Sequence, residues 1–438
     1  MALKMSSKTK RLLINLLIIL TLAIGTTIAI QYAKGYRPNV RDLSIQGTGL
    51  LSLTSYPKDA RVMLNDRLTT VTDDKLYLTP GTYTVKIEKD GFHPWTKTIP
   101  VKSELVSSID TRLFPLIPAT SPITFYQVDN AVLNPEGTKI AYVLKNAPLS
   151  SDNGLYIYSL TGNLLGSQNM QIADQERDYS KALLVWSPDS SQLLTVFTDN
   201  TKTGERIASS YLLSTRNQNQ SRAATDVTYR LPLIISEWQN QLSKINQSTL
   251  ALYPPFMASL LSQKTINAYF STDKEKVLYS PTENTTLPEN TIGKSLPNIN
   301  STPETRTLTK SLYYVFDLKE GTNYQIPSVQ TTTEPAKVMI TTPDATPSAS
   351  LDALKQIRSQ TDSRFTTNAS WYANHQLITS IPNGVQVTDY DNINPVTITS
   401  ANIKSNLIAS SPDGSKLILL TNINQKSDIF NLIAFDLK

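Results

Sequence analysis

The chain has 438 residues, of which 39% are hydrophobic and 18% are charged, and its formal net charge is +5. It contains no cysteine and only two histidines, which excludes disulfides, thiolate metal sites, a cysteine nucleophile and multi-histidine metal centres. Four basic residues before residue 12 supply most of the excess positive charge, so the rest of the chain is nearly neutral. We therefore predict no nucleic-acid partner. The length suits two or three domains.

The N-terminal region contains a long apolar run. Residues 12–30 read LLINLLIILTLAIGTTIAI and include no charged side chain. As a helix they are about 28 Å long, close to the ~30 Å hydrocarbon core of a bilayer. Because basic residues precede the run, its N-terminal side is expected to face the cytoplasm. The predicted parts are a cytoplasmic tip at 1–11, a transmembrane anchor at 12–31 and a linker at 32–47.

Two other interpretations of this run are a cleaved signal peptide and a buried core helix. A signal peptide has a shorter apolar region of ~7–15 residues, which ends at a small-x-small cleavage site. The stretch from Ile30 to Lys34 lacks such a site. We therefore predict an uncleaved single-pass anchor, with everything after residue 31 outside the cytoplasm.

Residues 48–115 alternate between apolar and polar side chains. Runs with a period of two indicate β-strands, and turn residues separate them. Asp90-Gly91 is predicted to form a type I′ turn and Pro80-Gly81 a type II turn, because both turn types favour glycine at positive φ. The alternating runs are LLSLTSYP (50–57), ARVMLND (60–66), KLYL (75–78), TYTVKIEK (82–89) and PWTKTIPV (94–101).

The order of these features resembles the PEGA domain. Its signature stands here as Pro57-Lys58-Asp59-Ala60, in which Asp59 tolerates a left-handed turn, and the stretch from Leu78 to Trp95 follows the family pattern closely. The resemblance implies a β-sandwich outside the cytoplasm, on a protein of the bacterial cell membrane, with no chemistry of its own. Three aromatic residues are expected either to pack between the two sheets or to form a sugar-stacking platform. They are Tyr83, Phe92 and Trp95.

Residues 120–438 carry a degenerate repeat. Each copy has an aromatic or small residue, a turn like Ser-Pro-Asp-Gly, two polar residues and an apolar strand, and a second strand follows. This order resembles the propeller repeat of the TolB and WD40-like type, which implies a β-propeller of five to seven blades. The predicted fold class is therefore mainly β, with an N-terminal transmembrane helix, a small PEGA-like sandwich and a propeller with a helical insertion. The copies begin at Asn134, Trp186, Phe270, Trp371 and Ser410.

Polar residues in these motifs are assigned to turns. Asp189, Asp273 and Asp413 are expected to accept backbone N–H bonds within their turns. The alternative is a metal-binding or catalytic role at the mouth of the propeller channel. The two histidines, His93 and His375, are likewise expected to lie in turns.

Uneven spacing between the copies predicts insertions at 231–262, 282–310 and 328–360. The first is predicted to be helical because Ser236 begins a capping box and apolar residues follow at helical spacing. The other two are rich in Thr, Pro and Asn and are predicted to be exposed loops, apart from one short helix at 351–359.

Two interpretations of the helical insertion remain open. Its apolar stripes either lie on the propeller and cover part of its core, or leave one stripe exposed to dock a partner. The insertion contains few basic residues, so docking on a membrane surface is not favoured and a protein contact is expected instead. The candidate binding residues are Trp238, Leu242, Ile245, Phe256 and Leu260.

The sequence contains no recognisable catalytic or phosphate-binding motif. DYDNIN (389–394) is similar to a calcium loop, but Ile393 stands where an oxygen ligand is needed. We therefore predict no catalytic residue, no metal, no cofactor and no enzyme activity. The first function hypothesis is a membrane-anchored extracytoplasmic scaffold or binding protein, attached through residues 12–31, whose propeller recognises an envelope protein or a glycan.

The second hypothesis is an envelope hydrolase that acts on glycans or peptides through carboxylates at the propeller channel. Three or more convergent acids on the channel would favour it. A third class, a sensor that passes signals inward, has little support because only about eleven residues precede the apolar run.

Overall fold

The computed structural model describes most of the chain, in two compact units. The first unit comprises Met1–Leu113 with Asn298–Thr302, and the second comprises Phe114–Pro297 with Pro303–Lys438. The described residues are 7–33, 36–39, 44–161, 169–201, 204–215, 224–289, 300–331, 351–362, 366–382, 384–422 and 429–438. Residues 1–6 of the predicted tip, parts of the linker and much of the two predicted loops therefore lie outside the described residues.

The first unit begins with a long apolar helix, α1 (Ser7–Ala33). Its segment Arg11–Ala33 has a mean hydropathy of 2.4 and is long and apolar enough to cross a membrane. The hydroxyl of Thr21 donates a 2.8 Å hydrogen bond to the Leu17 carbonyl one turn earlier, which satisfies a polar group on an otherwise apolar helix. A short antiparallel hairpin follows, formed by β1 (Tyr36–Asn39) and β2 (Ser44–Gly47).

The rest of the first unit is a sandwich of two sheets. The three-stranded sheet has the order β6-β3-β9, with β3 and β9 parallel, and the four-stranded sheet has the order β5-β4-β7-β8. Alternate side chains of β3, β4, β7 and β8 point between the sheets and form the core, where Trp95 is buried. The strands are β3 (Gly49–Tyr56), β4 (Arg61–Leu64), β5 (Arg67–Val71), β6 (Asp74–Leu78), β7 (Gly81–Glu88), β8 (Trp95–Val101) and β9 (Val106–Arg112).

The turns of the sandwich differ in part from the sequence prediction. Asp59 has a φ of 58°, as its position in the signature predicts. The predicted type I′ turn at Asp90-Gly91 is wrong, because six residues separate β7 from β8 and only Gly91 among them has positive φ. The predicted type II turn at Gly81 is also wrong, since Gly81 opens β7 without positive φ. The two-residue turn with both φ positive is Asn65-Asp66, between β4 and β5.

In its described residues, the second unit contains five four-stranded antiparallel sheets, which confirms the predicted propeller class and the five copies of the repeat. Blade one consists of β11–β14 and blade two of β15–β18. The strands up to this point are β10 (Thr120–Pro122), β11 (Gln127–Leu133), β12 (Lys139–Lys145), β13 (Gly154–Ser159), β14 (Asn169–Ala173), β15 (Leu183–Trp186), β16 (Gln192–Thr201), β17 (Gly204–Ser214) and β18 (Thr225–Asp226).

Blade three consists of β19, β20, β23 and β24, and a small hairpin of β21 and β22 lies in its middle connection. Blade four consists of β25–β28, and blade five joins β29–β31 to β10. The helices and strands of this part are α2 (Leu231–Leu250), α3 (Pro255–Gln263), β19 (Thr265–Phe270), β20 (Lys276–Pro281), β21 (Thr285–Thr286), β22 (Thr307–Leu308), β23 (Tyr314–Asp317), β24 (Thr322–Gln325), α4 (Leu351–Thr361), β25 (Ala369–Ala373), β26 (Gln376–Ile381), β27 (Gly384–Asp389), β28 (Val396–Thr399), β29 (Asn402–Ser410), β30 (Lys416–Asn422) and β31 (Asn431–Asp436).

Apolar side chains join successive blades into a ring. Buried clusters connect blade one to two, three to four, four to five, and five to one. The ring is closed by β10, which pairs with β31 from Thr120 opposite Phe435 to Pro122 opposite Ile433. The first strand of the unit therefore forms the outer strand of the last blade.

Between blades two and three, three helices take the place of a direct contact between sheets. α2 and α4 share one buried cluster with blade two, whereas α3 packs against blade three. The Tyr269 hydroxyl of blade three donates a 3.0 Å hydrogen bond to the Ser359 carbonyl of α4. In the described part of the chain, the ring thus has five β-blades and one helical segment, which we call the helical wedge (α2, α3 and α4).

The start of α2 differs from the prediction. The helix begins at Leu231, five residues before the predicted capping box at Ser236, and Pro232 lies in its first turn. Proline suits this position because its missing N–H has no partner within the helix in any case. Pro255 opens α3 and α4 covers the predicted short helix, as the sequence indicates.

Candidate recognition surface

The strand order gives the propeller two different ends. In blades one to four the first and second strands, and the third and fourth, are connected at one end, which we call the turn face. In blade five the connection between the first two strands lies at this end. The connections from the second strand to the third, and from one blade to the next, start and finish at the opposite end of the propeller, which we call the insertion face. All three insertions belong to these connections. The helical hairpin of α2 and α3 spans both ends, because the Tyr253 hydroxyl after α2 donates a 2.9 Å bond to the Lys274 carbonyl on the turn face.

The aspartates of the repeat stabilise turns. Asp413 Oδ1 accepts hydrogen bonds from the Ser411 hydroxyl at 2.7 Å and the Ser415 amide at 3.0 Å. Burial opposes its ionisation, but these bonds hold the pKa of Asp413 well below its ordinary value. Asp189 and Asp273 accept equivalent bonds within their own turns. The prediction that these carboxylates stabilise the turns is therefore confirmed.

Positive φ in these turns does not require glycine. Gly137 and Gly414 have φ values of 68° and 64°, and Ser190 and Lys274 occupy the same position at 58° and 60°. His375 lies in a shorter, two-residue turn of blade four and is not among the residues with positive φ. Its backbone carbonyl accepts a 2.9 Å bond from the Tyr390 amide.

The described inner strands of the propeller carry few acidic residues. The five innermost strands are β11, β15, β19, β25 and β29, and their sequences contain a single acid, Asp129. The described residues also contain no group of three or more His, Cys, Asp or Glu side chains arranged to hold a metal ion. The convergent acids that would favour a hydrolase are therefore not found on these strands.

One buried ion pair lies inside blade three. Lys276 Nζ is 3.4 Å from Asp317 Oδ2, both side chains are almost completely buried, and the ammonium lies 4.9 Å from the ring centre of Tyr390 in blade four. Asp317 also accepts two backbone N–H bonds, from Lys319 and Glu320. The pair is enclosed by the blades, so it serves the fold rather than an open site.

The structure separates the five predicted binding residues. Trp238 and Leu242 are buried against blade two and α4, and Leu260 is buried against blade three. Ile245 and Phe256 remain exposed near the turn between α2 and α3. The burial of the first three fits the interpretation in which the helices cover the propeller core. A role of Ile245 and Phe256 in partner binding stays a prediction.

A group of exposed apolar side chains lies on the insertion face where the ring closes. Phe125 is 74% exposed and Leu149 is 64% exposed, although most residues of their type are buried. Tyr126 and Ile429 are also exposed. We call these four residues the closure patch.

Hydrogen bonds hold the three connections that carry the closure patch together. The Val128 amide, two residues after Tyr126, donates a 2.9 Å bond to the Phe430 carbonyl next to Ile429. The Asn146 side chain, three residues before Leu149, donates a 2.6 Å bond to Gln127 Oε1. Phe125 and Tyr126 therefore lie on the connection from β10 to β11, Leu149 lies on the connection from β12 to β13, and Ile429 lies just before β31.

The sequence carries only a weak signal for this surface. Phe125 and Tyr126 are adjacent aromatic residues several residues before the first repeat. No alternating pattern in this stretch predicts whether their side chains are buried or exposed. Leu149 and Ile429 are single apolar residues in polar loops. The pairing of β11 with β12 brings the loop of Leu149 toward Phe125, whereas the loop of Ile429 comes near only when the ring closes.

Comparison with known proteins identifies the sandwich of the first unit. Residues 48–116 match the PEGA domain family, which confirms the resemblance read from the sequence. The match covers the sandwich and not the propeller. No curated protein matches the chain in sequence.

Solved structures include distant matches to the chain. The crystal structure of TolB from Acinetobacter baumannii is 12% identical, with a TM-score of 0.20, and the match covers 81% of this chain and 59% of that one. The β-propeller domain of Cps50 (Swd1) from Myceliophteria thermophila is 13% identical, with a TM-score of 0.17 and coverages of 71% and 73%. An acylaminoacyl peptidase from Pyrococcus horikoshii is 10% identical, with a TM-score of 0.18 and coverages of 69% and 36%. The propeller assignment rests on the strand order described above.

Proposed function

We propose that this chain is a membrane-anchored extracytoplasmic binding protein of the bacterial envelope. The apolar helix α1 supports the anchor, and the PEGA domain supports a location outside the cytoplasm. The observation that carries the binding role is the closure patch, where Phe125 and Leu149 are exposed on connections held together by hydrogen bonds. Exposed apolar side chains that are gathered in one place, rather than scattered singly, mark interaction sites on folded proteins.

The chemistry of the closure patch favours a protein partner over a glycan. Two of its four side chains, Leu149 and Ile429, are aliphatic and offer no face for sugar stacking. The two loops of the patch at blade one are residues 123–126 and residues 146–153. Together they contain one charged residue, Asp152. An apolar centre with little charge is the composition of the core of a protein–protein interface.

Catalysis is not part of the proposal. A hydrolase of the predicted alternative class needs at least two carboxylates at the channel, and the innermost strands supply Asp129 alone. The propeller is therefore proposed to bind rather than to cleave.

The test places a photo-crosslinking amino acid at Phe125 or Leu149 in the full chain within its native membrane. Crosslinking to one protein at both positions would support the proposal. The same label at Ile245 and Phe256 tests the helical insertion as the alternative surface. A partner captured at the helical positions and not at the closure patch would contradict the assignment.

Substitution then measures the contribution of the patch. The Phe125→Ser and Leu149→Ser variants are expected to weaken partner binding by about 30-fold or more if these residues are interface hot spots. Leu68→Ser is the control, because Leu68 is also an exposed leucine but lies on β5 of the sandwich. Equal binding by all three variants would refute a role for the closure patch.

A further inference from the structure

The outer face of the three-stranded sheet (β6-β3-β9) changes from apolar to polar along the length of β3. Side chains of β3 at even positions point away from the core. Leu50 and Ser52 have partners on both β6 and β9, whereas Thr54 and Tyr56 have partners on β9. Leu50 is paired with Tyr77 on one side and Val106 on the other. Because neighbouring strands are about 4.8 Å apart, these three side chains form one continuous row about 10 Å wide.

This row is apolar, whereas the next two rows are polar. Tyr77 is 55% exposed and Val106 is 59% exposed, so the row faces solvent in the described structure. The next row contains Ser52 with Lys75 and Ser108, and the one after it pairs Thr54 with Asp110. Exposed apolar side chains on this face are thus concentrated at the start of β3.

The apolar row lies at the end of the sandwich that is joined to α1. Tyr36 follows the end of α1 at Ala33 by three residues, which span at most about 11 Å. The Tyr36 hydroxyl donates a 2.8 Å hydrogen bond to Glu104 Oε1, two residues before Val106. The β1–β2 hairpin also returns the chain to this end, because Tyr36 pairs with Gly47, two residues before β3 begins.

We propose that the row formed by Leu50, Tyr77 and Val106 contacts the outer surface of the lipid bilayer and lays the sandwich on the membrane. The anchor fixes this end of the sandwich close to the bilayer, so the apolar row is the part of the sheet face that can reach the lipid. Tyrosine suits the boundary between headgroups and acyl chains because its ring is apolar and its hydroxyl is polar. Lys75, in the adjacent row, is placed to meet lipid phosphates.

This inference rests on the proposed membrane anchor, and the experiment distinguishes the two. Because the chain has no cysteine, single cysteines can be introduced without removing others. The full chain is reconstituted in vesicles of phosphatidylcholine and phosphatidylglycerol, and each cysteine carries an environment-sensitive fluorophore. Lipids with a nitroxide on the headgroup or the upper acyl chain then quench any fluorophore at the bilayer surface.

Three positions report on three different places. Tyr32→Cys lies at the end of α1 and reports on the anchor, whereas Val106→Cys reports on the apolar row. Asp110→Cys is the matched control, since it lies on the same strand and the same face about 13 Å further along.

The expected result is strong quenching at residues 32 and 106, with quenching at 106 at least about threefold greater than at 110. Quenching at 32 with equal, weak quenching at 106 and 110 would overturn the bilayer contact and leave the anchor intact. A fluorophore at residue 106 that is shielded from water but is not quenched by the lipids would also overturn the bilayer contact, if a crosslinker at the same cysteine captures a second protein chain. Loss of quenching at all three positions, with protein that does not float with the vesicles, would refute both the anchor and the contact.

Discussion

The side-chain amide of Asn246 on α2 donates a 3.2 Å hydrogen bond to Gln360 Oε1 on α4, which joins two helices from different insertions. α2 follows blade two in the chain, whereas α4 follows blade three and packs back toward blade two. Leu354 and Ile357 of α4 are fully buried in the cluster that also contains Trp238. The helical wedge is therefore part of the propeller core, in a position that another blade would otherwise fill.

Removal of a large side chain from the helical wedge is expected to destabilise the whole propeller. Trp238→Ala should lower the free energy of unfolding of the second unit by about 3–5 kcal/mol, because the indole is buried between α2, α4 and blade two. Ile357→Ala should cost about 2–5 kcal/mol for the same reason. Hydrogen exchange, read separately for the strands of blades two and three, measures the effect.

Leu252→Ala is the matched control, since Leu252 is exposed at the end of α2 and should change stability by less than about 0.5 kcal/mol. Deletion of residues 231–262 with a short Gly-Ser bridge should unfold the unit. A soluble, folded propeller after that deletion would show that the helices are only an addition to a ring that closes without them.

The fold was largely predictable because its repeat has a local cause. A turn that needs an aspartate acceptor and a left-handed residue has few solutions, so Ser187–Ser191 and Ser411–Ser415 are recognisable in the sequence. Strands without an apolar alternation gave no such signal. β5 (Arg67–Val71) is an exposed edge strand of mostly polar residues, and it was not predicted.

The role of the helices and the candidate binding surface could not be predicted in the same way. An amphipathic pattern shows that one side of α2 needs cover, but it does not show what provides the cover. The partner of Trp238 is α4, which lies more than a hundred residues later in the chain. Part of the closure patch depends on the same kind of distant contact, since Ile429 comes near Phe125 only after β31 has paired with β10.

The buried ion pair of blade three gives a second prediction. Lys276→Met leaves the Asp317 carboxylate buried without its cation and should cost about 3–5 kcal/mol in the free energy of unfolding. The double variant Lys276→Met with Asp317→Leu removes both charges and should recover most of that loss, because an apolar pair avoids the desolvation penalty. Chemical denaturation of both variants measures the difference. A double variant that stays about 3–5 kcal/mol less stable than the natural chain would contradict the prediction that an apolar pair can replace the ion pair.

The core of the sandwich gives a third prediction. Trp95→Ala should destabilise the first unit by about 3–5 kcal/mol, because the ring is buried between the two sheets. Tyr77→Ala is the control from the outer face of the same unit, where the side chain is exposed and the loss should be below about 1 kcal/mol. Hydrogen exchange of β7 and β8 in the full chain reports on this unit separately. A loss below about 1 kcal/mol for Trp95→Ala would restore the sugar-stacking interpretation of that ring.

The turn carboxylate of blade five gives a prediction for pH. The folded state lowers the pKa of Asp413, so its ionised form contributes stability that is fully present above the unfolded pKa of about 3.9 and is lost as the pH falls further. Asp413→Asn should therefore be less stable than the natural chain at neutral pH, and the difference should shrink as the pH is lowered below about 4. Thermal unfolding of both proteins across this range measures the difference. Ser411→Ala removes one hydrogen-bond donor to the carboxylate and also the acceptor of the Lys416 amide, and it should show a weaker pH dependence in the same direction. A difference between Asp413→Asn and the natural chain that stays constant from pH 7 to the acid limit would mean that the charge of Asp413 contributes nothing and that only the shape of the turn matters.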